Sequence, residues 1–405
     1  MQTSGGAEPE LTRDEAVARL GVKPATLYAY VSRGLIRRRR GRDGRSRFSL
    51  ADVERLRQRG RATVSATSMA VRSVLTSVET ATLRYRGRDV TELCASGTFE
   101  DTAVWLWTGQ VAHEQLWHSD HAGLATGHAV QHALPVGTLP MDRLRVTVPA
   151  IAPTDPLRYD TSADAVQMSG RRLISALVDS LPAVGRPPAH DGTIAARLWP
   201  RLTAEPPNEG LLGLLDDALI LLVDHELSLS TLSARLTASL LADPYSVVSV
   251  GLSALGGPFH AVASLAAEDL LAEVSLPQRA AWTIGERLRR GDRLPGFGHR
   301  VHTGGDPRAA VLLRALSELY GQRQELRVVQ EILSVTAARG LPAPNVDFAL
   351  AALAHATRMV RGSSEAIFAL ARSAGWIGHA LEVYTGGPES SPSFLYLGTQ
   401  TGPER

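Results

Sequence analysis

Cysteine is almost missing from the 405 residues: Cys94 stands alone. One thiol builds neither a disulfide framework nor a cysteine-based zinc site within one chain, and it fits a reducing, cytoplasmic setting. Lysine is as scarce, with Lys23 the sole example, so arginine carries the positive charge. Aromatic residues make up 5%, which suits an aliphatic helical core better than a β-sandwich. Long apolar runs are missing too. The longest, Leu211 to Val223, is interrupted by Asp216-Asp217 and falls short of the roughly 20 residues that a membrane span needs. The opening MQTSGGAEPE lacks the basic-then-apolar build of a secretory signal. The length allows two or three domains with cores of their own.

What the chain does have is arginine, unevenly placed. Residues 1–65 hold 15 Arg or Lys against 7 Asp or Glu, a net +8, while the remainder is net −6. That separation suggests a basic module that meets an anion, joined to a body that does not need one. Thr12 and Glu15 form a capping-box pair that opens a helix, which Gly21 ends. Lys23-Pro24 starts a second helix through Val31, with Pro24 in the first turn, and Gly34 stops it. Eight arginines between Arg33 and Arg47 surround a Gly-Arg-Asp-Gly turn, Phe48 begins a return strand, and SLADVERL caps a third helix. The stretch resembles a MerR- or excisionase-type winged helix-turn-helix over 1–62, followed by a small, polar linker over 63–72. In that family the second helix enters the major groove and the basic wing touches phosphates. The resemblance implies that Thr26 and Tyr28 face bases, and that Arg37, Arg38, Arg45 and Arg47 track the DNA backbone.

From Glu100 onward helical spacing dominates. TFEDTAVWLWTGQ sets Phe99, Ala103, Val104, Leu106 and Trp107 on one face, and residues 210–243 are apolar around most of their circumference, which predicts a central buried helix pair. Five histidines (His113, His118, His121, His128, His132) crowd one segment, but HEQLWH is not H-E-x-x-H, so exposed helix positions explain them better than a metal. LPGFGHRVHTGGDPRAA, Leu294 to Ala310, lacks the third glycine of G-x-G-x-x-G and the Gly-Lys-Ser/Thr of a P-loop. His260 follows a Gly-Gly-Pro break, His299 sits in this glycine-walled loop with Arg308 nine residues on, and Asp347 follows a Pro-Asn turn. Each stands beside its own chain break, and together they make a catalytic candidate.

These segments, with LRYRGRDVTELCASGTFEDTAVWLWTG, DHELSLSTLSAR and IFALARSAGWIGHALE, follow one another in the order of the citrate synthase family, which the chain resembles from about Ser73 to Gly398. The resemblance implies an all-α fold: a two-domain citrate synthase-like body, with a large domain at 73–260 and 368–405 and a small one at 261–367, preceded by the winged helix-turn-helix. It implies a homodimer that condenses acetyl-CoA with oxaloacetate or a related dicarboxylate 2-oxoacid, with no further cofactor and no metal. Asp347 would be the base, His260 would stabilise the enol, and His299 the alkoxide. His225, Arg308 and Arg372 would hold the dicarboxylate, and Leu294, Gly296 and Gly298 would receive CoA. His302 takes no role. The family's C-terminal Arg-Pro-Arg run is replaced by Ser391-Pro392-Ser393, which puts one substrate-binding charge in doubt. The alternative is a DNA-binding regulator with this body as its acyl-CoA or carboxylate sensor and dimeriser.

Overall fold

The computed structural model describes residues 10–20, 22, 24–32, 34–41, 44, 46–49, 52–53, 71, 73–79, 82–111, 116–186, 191–225, 227–257, 262–321 and 323–386. They fall into two units divided between Arg72 and Ser73. In the first, the Thr12 backbone N–H donates to the Glu15 carboxylate (2.8 Å) and the Glu15 N–H to the Thr12 hydroxyl (3.4 Å), the expected reciprocal cap. It opens α1 (Arg13–Leu20). Helix α2 (Pro24–Ser32) begins on its proline, and Gly34 follows at φ +71°. Strands β1 (Glu10–Leu11), β2 (Arg38–Arg40) and β3 (Ser46–Ser49) form an antiparallel sheet in the order β1-β3-β2. Leu11, Ala16, Leu27, Ile36, Phe48 and Val53 make its core. The expected third helix shows only its start at Asp52-Val53, and Gly21 and most of the 63–72 linker lie outside the described residues.

The second unit opens with a feature that the helical reading did not include. β4 (Thr76–Val78), β5 (Leu83–Tyr85) and β6 (Arg88–Asp89) form a small antiparallel sheet. Its signal is the alternation of buried Leu83 and Tyr85 with exposed Arg84, a period of two that is too short to stand out. The rest is helical: α3 (Val90–Ser96), α4 (Phe99–Thr108), α5 (His121–Ala133), α6 (Pro140–Ile151), α7 (Ala163–Ser180), α8 (Ile194–Leu202) and α9 (Glu209–Leu222). There follow α10 (Leu229–Ser239), α11 (Pro244–Leu255), α12 (Val262–Val274), α13 (Ala280–Arg289), α14 (Pro307–Tyr320), α15 (Gln324–Ala338), α16 (Val346–Ala356) and α17 (Ser363–Gly386).

Helix α17 is buried along nearly its whole length. It packs against α10, α11, α7, α4 and α9, while α12 and α14 pack on α16. The expected buried pair is α9 and α10, of which α9 conforms the better, burying Leu211, Leu214, Leu215 and Ala218 to Leu222 while Gly213 is exposed. Helix α10 buries Ser230, Thr231, Ala234, Arg235 and Ala238, while Leu229 and, just beyond the helix, Leu240 and Leu241 face outward. Small side chains line the face of α10 that packs on α11 and α17, and Leu232 and Leu236 along the helix are half-buried. His121, His128 and His132 ride on the surface of α5, His118 precedes it in a loop, and His113 lies outside the described residues.

Candidate active site

The site begins where α9 ends. The chain after Leu222 turns across α17, and a Cβ on Gly375 would stand 2.1 Å from the Val223 carbonyl oxygen. Only glycine admits this crossing. The Tyr85 hydroxyl reaches the Ile220 and Asp224 carbonyls at 3.1 and 3.0 Å, and the Arg372 Nε donates to the Leu222 carbonyl at 3.0 Å. Asp224 is wholly buried; it accepts from Thr76 (2.5 Å) and meets His379 Nε2 at 3.2 Å. Arg235 approaches His379 Nδ1 at 2.8 Å and pairs with Glu382. This polar brace fixes the turn, and the next residue, His225, projects into a cavity of about 310 Å³.

The opposite wall is the loop before α14. His299, half-buried, accepts the backbone N–H groups of Val301 and His302 on its Nδ1, both at 3.1 Å. A nitrogen that accepts carries no proton, so the neutral ring is protonated at Nε2. Burial, then the charge of Arg308, push its pKa down to about 4, which keeps the ring neutral. Burial and the charges of Arg308 and Arg372 push His225 lower still.

Arg308 is 3% exposed and bidentate to Asp306, with Nε and Nη2 at 3.0 and 2.9 Å. Burial alone would raise the Asp306 pKa, but Arg308 and the Val346 N–H outweigh it and hold the carboxylate below its ordinary range. That same N–H bond, 3.0 Å, fastens α16 to the loop. Arg372 is 1% exposed, and its Nη2 is buried without a hydrogen-bond partner among the described residues. A guanidinium left so is an anion site in waiting, because an unpaired buried donor is costly.

Asp347 opens α16, where Asn345 caps the helix by accepting the Asp347 and Phe348 N–H groups. Burial raises its pKa, against which the Ser264 hydroxyl, donating at 2.5 Å, works in the other direction. His225, His299, Arg308, Asp347 and Arg372 all line the one cavity, with Arg300 and Phe368. Asp306, Asn345 and Ser264 were missed in the sequence. Asp306 had a signal, an Asp-Pro at a helix start, as did Asn345 in its Pro-Asn turn. Ser264 had none, being one serine in an alanine-rich helix.

Other expected site residues stand apart. His260, Ser391 and Ser393 lie outside the described residues. Leu294 packs against the core. Gly296 (φ +79°) and Gly298 (φ +81°) are spent on the fold: the Gly298 N–H donates to Ala343, and the Gly296 carbonyl accepts from Asn345. In the N-terminal unit Thr26 is half-buried and Tyr28 exposed, its ring edge-on to Phe48 at 6.1 Å. Arg37 holds Asp52 through Nε at 2.9 Å, so it ties the wing to the third helix. Arg38 is exposed on β2, Arg47 half-buried on β3, and Arg45 lies outside the described residues.

The family described as "Citrate synthase, C-terminal domain" matches residues 64–388, and "Helix-turn-helix domain" matches residues 10–61. Citrate synthase 2 of Bacillus subtilis is 29% identical over 86% of this chain and 96% of its own length. The 2-methylcitrate synthase 1 of Corynebacterium glutamicum is 28% identical over 80% and 91%. The citrate synthase of the thermophilic archaeon Thermoplasma acidophilum, solved as a ternary complex with carboxymethyl coenzyme A and oxaloacetate, superposes with a TM-score of 0.69 at 21% identity. That match covers 85% of this chain and 98% of that one. The chain therefore belongs to the citrate synthase family. It is an enzyme of that type, with a helix-turn-helix domain at its N-terminus.

Proposed function

We propose that this enzyme joins the α-carbon of a short acyl-CoA, acetyl-CoA first, to the ketone of oxaloacetate or a related dicarboxylate 2-oxoacid. One observation carries this reading: a single carboxylate, Asp347, shares one cavity with two buried guanidiniums and two neutral histidines. Arg308, through the unshared side of its fork, and Arg372, through Nη2, pair with the substrate carboxylates, and His225 adds a third contact. His299 gives its Nε2–H to the ketone oxygen and stabilises the alkoxide as it forms. Asp347 takes the α-proton, and His260 donates to the thioester oxygen so that the enol is held as it appears. The enol carbon attacks the ketone carbon, the alkoxide is protonated, and water then cleaves the thioester to the tricarboxylate and free CoA. CoA lies along the loop that carries Leu294, Gly296 and Gly298, on its outer main-chain face, since the space at the two glycines is taken up by the fold. The body acts as a cytoplasmic homodimer whose small domain, 261–367, closes on the large one, 73–260 with 368–405, and excludes water.

Measuring thiol release from acetyl-CoA and propionyl-CoA with oxaloacetate and other 2-oxoacids tests this. The second donor is included because 2-methylcitrate carries one methyl group more than citrate. Release is expected, and Asp347→Asn should lower kcat on the order of 10³-fold. No release from the folded protein with any pair overturns the reading.

The helix-turn-helix match, with Arg38–Arg40 exposed along one strand, supports a second role as a DNA-binding regulator. The catalytic body then acts as acyl-CoA or carboxylate sensor and dimeriser. A gel shift with the protein's own upstream DNA should show binding that falls steeply between 50 and 200 mM salt. No binding at the lower salt removes this role.

A further inference from the structure

His225 and His302 meet nitrogen to nitrogen, Nε2 to Nε2 at 3.0 Å, and both side chains are buried. A contact this short between two imidazoles holds one proton. Two neutral rings own two N–H protons, so two arrangements balance. In one, His225 gives its Nε2–H to His302 and turns a bare Nδ1 to its surroundings. In the other, His302 gives its Nε2–H to His225, whose proton then sits on Nδ1. The cavity decides between them once a ligand enters. Carboxylate and ketone oxygens are acceptors, so a ring that faces them with a bare nitrogen repels them, while an Nδ1–H donates to them.

We propose that His302 is the positioning residue that sets the tautomer of His225, holding it as an Nδ1–H donor to a 2-oxo-dicarboxylate. The same residue acts on the second histidine through its backbone, whose N–H donates to His299 Nδ1 and leaves that proton on Nε2. One residue thus aims both ring protons at the ligand, its side chain serving His225 and its main chain serving His299. The neutral state that this needs follows from burial beside Arg308 and Arg372, which oppose any further positive charge. The inference rests on the substrate class proposed above.

Its test is oxaloacetate binding by calorimetry in wild type, His302→Phe and His302→Gln, with KM and kcat measured alongside. The phenyl ring keeps bulk without a donor, and a glutamine amide keeps a donor near the Nε2 position. Phe should weaken oxaloacetate binding about tenfold or more, consistent with a lost hydrogen bond to a charged group. The KM for acyl-CoA should hold, and Gln should restore most of the loss. In ¹⁵N-histidine spectra of the oxaloacetate complex, His225 should read as protonated on Nδ1. Equal binding by wild type and Phe, equal loss in Phe and Gln, or a His225 protonated on Nε2 overturns the proposal. If the wild type binds no oxaloacetate, the same comparison is run with the 2-oxo-dicarboxylate that it does bind, and a wild type that binds none overturns the substrate reading instead.

Discussion

Asp347 shows how little chemistry a residue type fixes and how much its neighbours add. Burial raises its pKa, as a base for a weakly acidic C–H requires, and the Ser264 hydroxyl holds that rise in check. Ser264→Ala removes the opposing hydrogen bond, so the Asp347 pKa should climb further. A base must be ionised, and the acid limb of the kcat/KM profile should therefore move to higher pH by about half a unit to one unit. An unmoved limb would separate Ser264 from the base. Sequence reading reached Asp347, His299, His225, Arg308 and Arg372 through their motifs. It did not reach Ser264 or the tie from Asp306 to Val346, because the partners lie 83 and 40 residues away in the chain.

At the scale of elements, the loop Leu294–Asp306 and the start of α16 behave as one piece. Phe297 bridges Pro344, Gly298 pairs with Ala343, Asn345 bonds to Gly296, and Val346 bonds to Asp306. The sequence motif suggested glycines that make room for a ligand. At Gly296 the room is already taken: a Cβ there would stand 2.7 Å from Phe348 Cβ and 3.0 Å from its backbone nitrogen. With φ at +79° as well, Gly296→Ala should cost about 2–4 kcal/mol, measured by urea unfolding. It should also reduce kcat, since Phe348 adjoins Asp347. A variant as stable as wild type would show that the loop and helix are not locked here. The small sheet of β4, β5 and β6 is the element that the helical pattern concealed, its strands being too short to declare a period.

At the scale of the molecule, helix starts are fastened to the central body by buried acids. The Asp216 carboxylate accepts the Phe99 N–H at 3.0 Å, and Glu100 accepts the Ile194 N–H at 2.7 Å, so the starts of α4 and α8 are held through these two acids. Burial, then the neighbouring Glu100, push the Asp216 pKa up to about 8. A carboxyl raised above its unfolded value adds stability that is complete below about pH 4 and is lost as pH climbs through about 8. Glu365, pushed up to about 7, adds to the same trend. The melting temperature should therefore fall across that window, and Asp216→Asn should flatten the descent while still accepting from Phe99. A parallel descent in the variant would place the proton elsewhere.

The sequence by itself determined the division near residue 72, the helical character and the order of the motifs, because periodicity, caps and charge are local properties. It also named five of the residues that share the cavity. Only the tertiary structure decided that His299 carries its proton on Nε2, that His225 meets His302, that the Val346 N–H fastens Asp306, and why Gly296 and Gly375 must be glycine. Apart from the His299 turn, whose partners are two and three residues on, those are set by contacts between segments tens to more than a hundred residues apart, where a hydrogen bond or a clash depends on distances of a few ångströms that no local pattern encodes.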